Sequence, residues 1–205
     1  MLTLFDLDHT LVHSTLSPVE GFDAFAVRAG GRIYTVHVRP YAVDMLSYLL
    51  QRGVPCGVWT AASHEYMTAV LDGLFARVGG DWRERLHVAY SREHTTRVDA
   101  HFYAKDLRLV GGPSDVVLYD DDRRHALWGA NRGRVRLVPP FDALAAHDDA
   151  FFLRELFALE RGRRRDDAAA PQRVSAPPKG QPQRPRCLHK QHVDQVVRER
   201  VGMAR

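Results

Sequence analysis

Two aspartates stand two residues apart near the start of the chain, in Asp6-Leu7-Asp8-His9-Thr10, directly after the apolar run Leu2–Phe5. On an extended segment, side chains two apart project to the same side, so both carboxylates face one site. Further along, Thr60 follows Val58-Trp59, Lys105 follows Tyr103-Ala104, and Asp120, Asp121 and Asp122 follow the apolar run Val116–Tyr119. Each of these is ordinary by itself. Asp and Thr abound in turns, and consecutive Asp commonly cap a helix. Together they put a hydroxyl, an ammonium and two acidic clusters at the ends of strand-like runs, a set suited to in-line phosphoryl transfer at a metal ion.

The reason is charge. A carboxylate that attacks a phosphate ester meets a dianion. Two like unit charges roughly 4 Å apart repel by about 4 kcal/mol at an effective dielectric near 20, which is about three powers of ten in rate. A magnesium ion and a lysine against the same oxygens remove that repulsion and stabilise the transition state. Magnesium takes hard oxygen ligands, which Asp6 with Asp120 and Asp121 supply. Asp8 is then available to protonate the leaving oxygen and later to take a proton from water. Lys105 carries information of its own. Residues 1–162 contain 17 arginines and this one lysine, so a lysine here points to a site that needs a compact point charge rather than a planar fork.

These residues need a frame. FAVRAGGRIYTVHV, within Ala24–Val38, predicts a hairpin turning at Gly30-Gly31. Pro40 marks a helix start, and the apolar residues of YAVDMLSYLLQRG fall at helical spacing up to Gly53. Val54–Trp59 predicts a strand, and Ser63 a cap for a helix over HEYMTAVLDGLF. Leu86–Tyr90, Val116–Tyr119 and Val135–Val138 predict further strands, and Asp148 a cap for a helix through FFLRELFALE. The order predicts an α/β fold: a Rossmann-like, mostly parallel sheet with helices on both faces, small β-hairpin inserts and no large cap domain. In such sheets ligands bind beyond the carboxyl ends of the strands, where the acidic clusters, Thr60 and Lys105 stand.

Composition sets the outer bounds. The 205 residues carry a net charge of +4, unevenly spread: residues 1–162 hold 18 Lys+Arg against 21 Asp+Glu, and residues 163–205 hold 11 against 4. The expected division is therefore a mildly acidic body, 1–162, and a basic tail, 163–205. That tail, rich in Pro and Arg, is too poor in large apolar residues to offset the entropy of ordering it. It is expected to meet an acidic partner if it meets one. No apolar run is long enough to cross a membrane, and acidic residues from position 6 leave no room for a signal peptide core. Cys56 and Cys187 are too few for a disulfide framework, so the expected location is intracellular, cytoplasmic or nuclear. The tail's Cys187, His189 and His192 lie at a spacing that weakly suggests a metal tract.

At the residues already named, the chain resembles the haloacid dehalogenase superfamily and, within it, the FCP/SCP-type phosphatases, relatives of the enzymes that act on the C-terminal repeats of RNA polymerase II. DLDHTLVHS resembles the family's opening motif, Arg39-Pro40 and the following helix its RP segment, and VWTAAS its second motif. YSREH and FYAKDL resemble its short insert and lysine motif, and VVLYDDD its acidic motif. The resemblance covers roughly residues 1–160. It implies that Asp6 is a nucleophile that becomes an aspartyl phosphate. Asp8 is then the general acid/base, with its carbonyl a metal ligand. Thr10 supports the loop, Thr60 and Lys105 hold the phosphoryl group, Asp120 and Asp121 hold Mg2+, and Arg92 contacts the substrate.

His9 and Asp122 depart from the family pattern. Asp122 leaves two registers for the metal pair, Asp120-Asp121 or Asp121-Asp122, of which the first fits a strand ending at Tyr119. With the catalytic run starting at residue 2 and a 43-residue tail, neither an N-terminal docking segment nor a C-terminal repeat domain is expected. Phe22, Phe25, Tyr90, Phe102 and Tyr103 are candidates either for a specificity groove or for ordinary core and hairpin pairs. The leading expectation is a Mg-dependent Ser/Thr phosphoprotein phosphatase. The alternatives are a nucleotide or nucleic-acid-end phosphatase, for which the basic tail would hold the polymer, and a catalytically silent phosphopeptide-binding adaptor. Sequence leaves the oligomeric state open.

Overall fold

The computed structural model describes residues 1–111, 115–145 and 148–169. In chain order the strands are β1 (Leu2–Phe5), β2 (Val12–Thr15), β3 (Ala24–Ala29), β4 (Arg32–Val38), β5 (Cys56–Trp59), β6 (Val88–Tyr90), β7 (Thr96–Arg97), β8 (Tyr103–Ala104), β9 (Val116–Asp120) and β10 (Val135–Leu137). The helices are α1 (Ala42–Gln51), α2 (His64–Val78), α3 (Trp82–Arg85), α4 (Arg123–Leu127) and α5 (Phe151–Ala169). Contacts divide the chain into Met1–Phe152 and Leu153–Arg205.

Five of the strands form one sheet in the order β10-β9-β1-β5-β6, every neighbouring pair parallel. β1 and β5 are buried at every position, as continuous apolar runs in a parallel sheet must be. β1 is central, so its carboxyl end, and the chain that leaves it, sits between β9 and β5. The α/β expectation holds. α1 lies against β5 and α2, and α4 against β10.

Between β1 and α1 the chain inserts a second, antiparallel sheet, β2-β4-β3. The expected hairpin is there, Ala29 pairing with Arg32 across Gly30-Gly31. Both glycines have positive φ, 56° and 72°, the conformation that a two-residue turn of right-handed twist requires. The third strand, β2, was not expected from Val-His-Ser-Thr. It pairs with β4 from Val12↔Val38 to Thr15↔Thr35, so tertiary pairing rather than local pattern makes it a strand.

The insert docks on α2. The Phe25 ring fills the space that a side chain at Gly73 would occupy. Arg77 stacks on that ring at 4.7 Å and holds Asp23 through its guanidinium, Nη2 to Oδ1 at 2.7 Å.

Three local expectations need correction. Pro40 does not open α1: Tyr41 takes a left-handed conformation (φ 64°) and the helix begins at Ala42. Asp149, not Asp148, caps the last helix, its Oδ1 accepting from Phe151 N at 2.9 Å. The disorder expected from residue 163 does not start there, because α5 runs through RGRRRDD to Ala169. Arg163 pairs with Glu160 one turn back at 3.1 Å, and Arg and Ala are strong helix formers. The rest of the tail, with Cys187, His189 and His192, lies outside the described residues. No described helix is long and apolar enough to cross a membrane.

Candidate active site

The loop after β1 is a tight turn wound on one carbonyl. The amides of Thr10, Leu11 and Val12 all donate to Leu7 O, at 3.2, 2.8 and 3.0 Å. His9 takes φ 58° to close it. Asp6 continues the ladder, its N–H donating to Tyr119 O at 2.9 Å, and is buried. The turn thus carries Asp6 and Asp8 to the carboxyl end of the sheet, where they meet the ends of β5 and β9.

One cleft of about 620 Å³ is lined by Asp6, Asp8, His9, Thr60, Arg92, Lys105, the Asp120-Asp121-Asp122 run and the start of α4. Every residue picked out for a catalytic, metal-holding or phosphate-contacting role lies on it except Thr10, which donates from Oγ1 to Asp121 Oδ1 at 3.3 Å. Lys105 is fully buried. Its Nζ bridges Asp6 Oδ1 and Asp120 Oδ2, 2.7 Å to each. Asp120 accepts a second bond, from Asp122 N to Oδ1 at 2.9 Å. Thr60, at the end of β5, accepts from Ala62 N at 3.0 Å. Arg92 is fixed by its Nε, which donates to Ala61 O at 2.7 Å, and by stacking on Tyr103 at 5.3 Å.

Burial raises the Asp6 carboxyl well above its ordinary range; the Lys105 charge opposes this and the Asp120 charge adds to it. Burial also raises Asp121, with Asp120 adding to the shift. For Lys105, burial works against the ammonium, but Asp120 and Asp6 outweigh it and hold the group protonated above its usual value. Asp6, Asp120 and Asp121 each offer an oxygen within 4.8 Å of the others. Three carboxylates against one ammonium leave an excess of two negative charges in an oxygen-only donor set, which fits a hard divalent cation. Asp122 turns away. It caps α4 by accepting from Arg124 N at 2.9 Å and pairs with the Arg124 guanidinium at 2.6 Å. The geometry therefore favours the first of the two registers.

The aromatic candidates behave differently. None of Phe22, Phe25, Tyr90, Phe102 and Tyr103 lines this cleft. Phe22 packs edge-on to Phe141, Tyr90 lies between Trp59 and His94, and Phe102 lies against His125 and Trp128. Phe102 is buried and the other four are half-buried.

Two supporting residues escaped the sequence reading. Asn131, fully buried, donates from Nδ2 to Lys105 O (2.6 Å) and His125 O (3.1 Å) and accepts from Leu107 N (3.1 Å), so it holds the lysine's backbone. Tyr66, in the first turn of α2, donates to Asp8 Oδ1 at 2.6 Å. Neither stands in a motif of chemical residues: an Asn in a loop and a Tyr at helical spacing look structural.

Relatives bear on what this geometry is for. No curated protein matches the sequence. Among solved structures, the chain is similar to an arginine-to-alanine variant of the fission yeast RNA polymerase II CTD phosphatase Fcp1 bound to beryllium fluoride. The TM-score is 0.54 and the identity 16%, over 82% of this chain and 50% of that one. It is also similar to Fcp1 described as an essential RNA polymerase II CTD phosphatase, with a TM-score of 0.50 and 16% identity over 97% of this chain and 61% of that one. The chain thus spans half to three-fifths of the length of those structures, and at this identity the likeness is one of fold. The profile of the NLI interacting factor-like phosphatases goes further, matching residues 2–167 and with them all ten described strands and every residue of the cleft; the chain belongs to that family of phosphatases.

Proposed function

We propose that the chain is a magnesium-dependent phosphoprotein phosphatase that hydrolyses phosphoserine or phosphothreonine through an aspartyl phosphate on Asp6. The observation that carries this reading is the buried Lys105 ammonium, 2.7 Å from both Asp6 and Asp120. A phosphate brought to Asp6 meets that positive charge at once, which is what an anionic nucleophile needs against a dianion. Asp6, Asp120 and Asp121 would hold Mg2+, which when bound neutralises phosphoryl oxygens and the charge that develops on them.

The chain's own residues then act as follows. An Asp6 oxygen attacks phosphorus while the bond from phosphorus to the ester oxygen breaks. Asp8 gives its proton to that oxygen, and the alcohol leaves. Asp8, now a carboxylate, takes a proton from water as the water oxygen attacks phosphorus. The bond from phosphorus to Asp6 breaks and inorganic phosphate departs. Lys105 and Thr60 keep the phosphoryl group in line, and Arg92 meets the chain that flanks it.

Two features support a protein substrate. The cleft is built at strand ends, and among the described residues the inserts are small, the three-stranded β2-β4-β3 sheet and the β7-β8 pair, which suits an exposed phosphorylated side chain. The body's 21 acidic residues against 18 Lys+Arg disfavour an extended nucleic-acid track. The test compares a phosphoserine peptide with a 3′-phosphorylated oligonucleotide, with and without Mg2+, for the wild type and Asp6→Asn. Mg-dependent release of phosphate from the peptide, absent in Asp6→Asn, is expected. Preference for the oligonucleotide would favour the nucleic-acid reading, and peptide binding without release would favour the adaptor.

A further inference from the structure

We infer that Tyr66 is a positioning residue for proton transfer: it engages one oxygen of Asp8 so that the other oxygen carries the proton to the leaving group. The inference rests on the reading of Asp8 as the acid and base.

Tyr66 is 9% exposed and is held from three sides. Its backbone N–H donates to the cap, Ser63 Oγ, at 3.3 Å. Its ring meets Tyr34 of the insert edge-on, 6.0 Å between centroids. Its hydroxyl lies 2.6 Å from Asp8 Oδ1 and 2.5 Å from Ser14 Oγ. A phenol has one proton to donate. That proton goes to Asp8, so the proton between Ser14 and Tyr66 is donated by Ser14. The result is a relay of hydrogen bonds, Ser14 to Tyr66 to Asp8, that joins β2, α2 and the catalytic loop. Further ties brace it, since Glu65 Oε2 accepts from Gly30 N at 3.0 Å and so pins the hairpin turn to the same end of α2.

The relay is one-directional. The Tyr66 hydroxyl is fixed between Ser14 Oγ and Asp8 Oδ1, and a phenol is a neutral donor at ordinary pH, so it faces Oδ1 as a donor. A carboxyl group has two oxygens, and either can carry the proton in water. With a permanent donor on Oδ1, the proton must reside on Oδ2. The same bond persists when Asp8 is ionised, so the group is aimed in both halves of the reaction. Tyr66 itself gives up no proton.

Tyr66 also lines a neighbouring groove of about 300 Å³ with Ser14, Tyr34 and Arg92, so a substrate-binding role must be separated from positioning. Leaving-group dependence does this. Para-nitrophenyl phosphate and phenyl phosphate are close in size, but only the second needs a proton on its leaving oxygen. A general acid contributes roughly 10²–10⁴-fold, and loss of its aim about 10²-fold. In Tyr66→Phe, kcat/KM should stay within about 3-fold of wild type for para-nitrophenyl phosphate and fall roughly 30–100-fold for phenyl phosphate. Asp8→Asn should show the same contrast more strongly, and adding Tyr66→Phe to it should change little further, about 2-fold or less.

Ser14→Ala, which keeps the phenol but removes its supporting donor, should move the same way by less, and it carries the contrast if Tyr66→Phe does not fold. An equal fall on both substrates, or a full effect of Tyr66→Phe in the Asp8→Asn background, would overturn the inference. A wild type inactive on both would instead refute the phosphatase chemistry on which it rests.

Discussion

Arg39 is the residue whose loss the structure prices most clearly. It is 1% exposed, yet carries a full charge. Its Nη1 donates to Thr10 O at 3.1 Å, and its Nη2 to Pro139 O at 3.0 Å and Asp149 Oδ2 at 2.7 Å. The guanidinium carbon lies 5.1, 5.4 and 5.8 Å from the ring centres of Phe151, Phe152 and Phe141. One planar fork thus ties the catalytic turn to the segment that follows β10. Arg39→Met keeps the stem and removes the fork. It leaves Asp149, whose side chain is 10% exposed, without its ion pair, and two carbonyls without these donors.

Removing one partner of a buried pair costs about 3–5 kcal/mol. For the 152 residues of Met1–Phe152, an unfolding entropy of about 2.1 cal/mol/K per residue gives about 0.32 kcal/mol/K. The melting temperature should therefore fall by about 10–15 °C. Thermal melts by circular dichroism would measure this. Arg39→Met with Asp149→Asn should lose less than the sum of the two, because the orphaned charge is gone. Since Thr10 supports Asp121, kcat should fall by about 10–100-fold in Arg39→Met. A melting temperature within about 3 °C of wild type would refute the reasoning, because a buried fork shared by three polar partners cannot be neutral to remove.

Further outcomes follow from the same geometry. Asp121→Ala should raise the Mg2+ concentration needed for half-maximal turnover by about tenfold or more, while Asp122→Ala should cost about 1 kcal/mol as a lost helix cap and change the Mg2+ requirement little; a Mg2+ titration of both variants, read beside their melts, reverses in order if the other register is correct. Asn131→Ala leaves the carbonyl of Lys105 and the amide of Leu107 without their partner, so stability should drop by about 2–3 kcal/mol and kcat with it; urea unfolding and steady-state rates measure the two. Burial pushes the Cys56 thiol up to about 11, so at pH 8 it is a protonated, inert group; iodoacetamide followed by peptide mapping should label it only after denaturation.

The sequence made the strand ends visible because the parallel sheet buries whole runs: LTLF, apolar but for Thr3, and CGVW are buried throughout and stop where the chemistry starts. Gly30-Gly31 was legible because only a two-residue turn with positive φ asks for that pair. Lys105 was legible as the lone lysine among arginines, and the structure gives it a place a fork would crowd, midway between two carboxylates. What stayed hidden depends on contacts across the chain. β2 exists because β4 pairs with it. Tyr41 is left-handed because the chain turns sharply after Arg39, which no local preference foretells. Tyr66 falls at the spacing of a helix's buried face, and only the docking of α2 beside the catalytic turn shows that its hydroxyl reaches Asp8. Asn131 serves three backbone groups 6 to 26 residues away. The aromatic residues left two readings open, groove or packing, because a large ring serves either; Phe22, Tyr90 and Phe102 prove to lie against other rings.

The most direct test of the account is to catch the phosphoryl group on Asp6. The 205-residue chain is mixed with Mg2+ and an aryl phosphate in excess, quenched in acid during turnover, reduced with borohydride and digested. Borohydride cleaves an acyl phosphate to an alcohol, so an aspartyl phosphate at residue 6 becomes homoserine, which mass spectrometry reads in the amino-terminal peptide. Homoserine at residue 6, dependent on substrate and on Mg2+, is the predicted result. Sustained turnover with residue 6 unmodified, or homoserine at Asp8 or Asp120 in its place, would contradict the assignment of the nucleophile and the mechanism built on it.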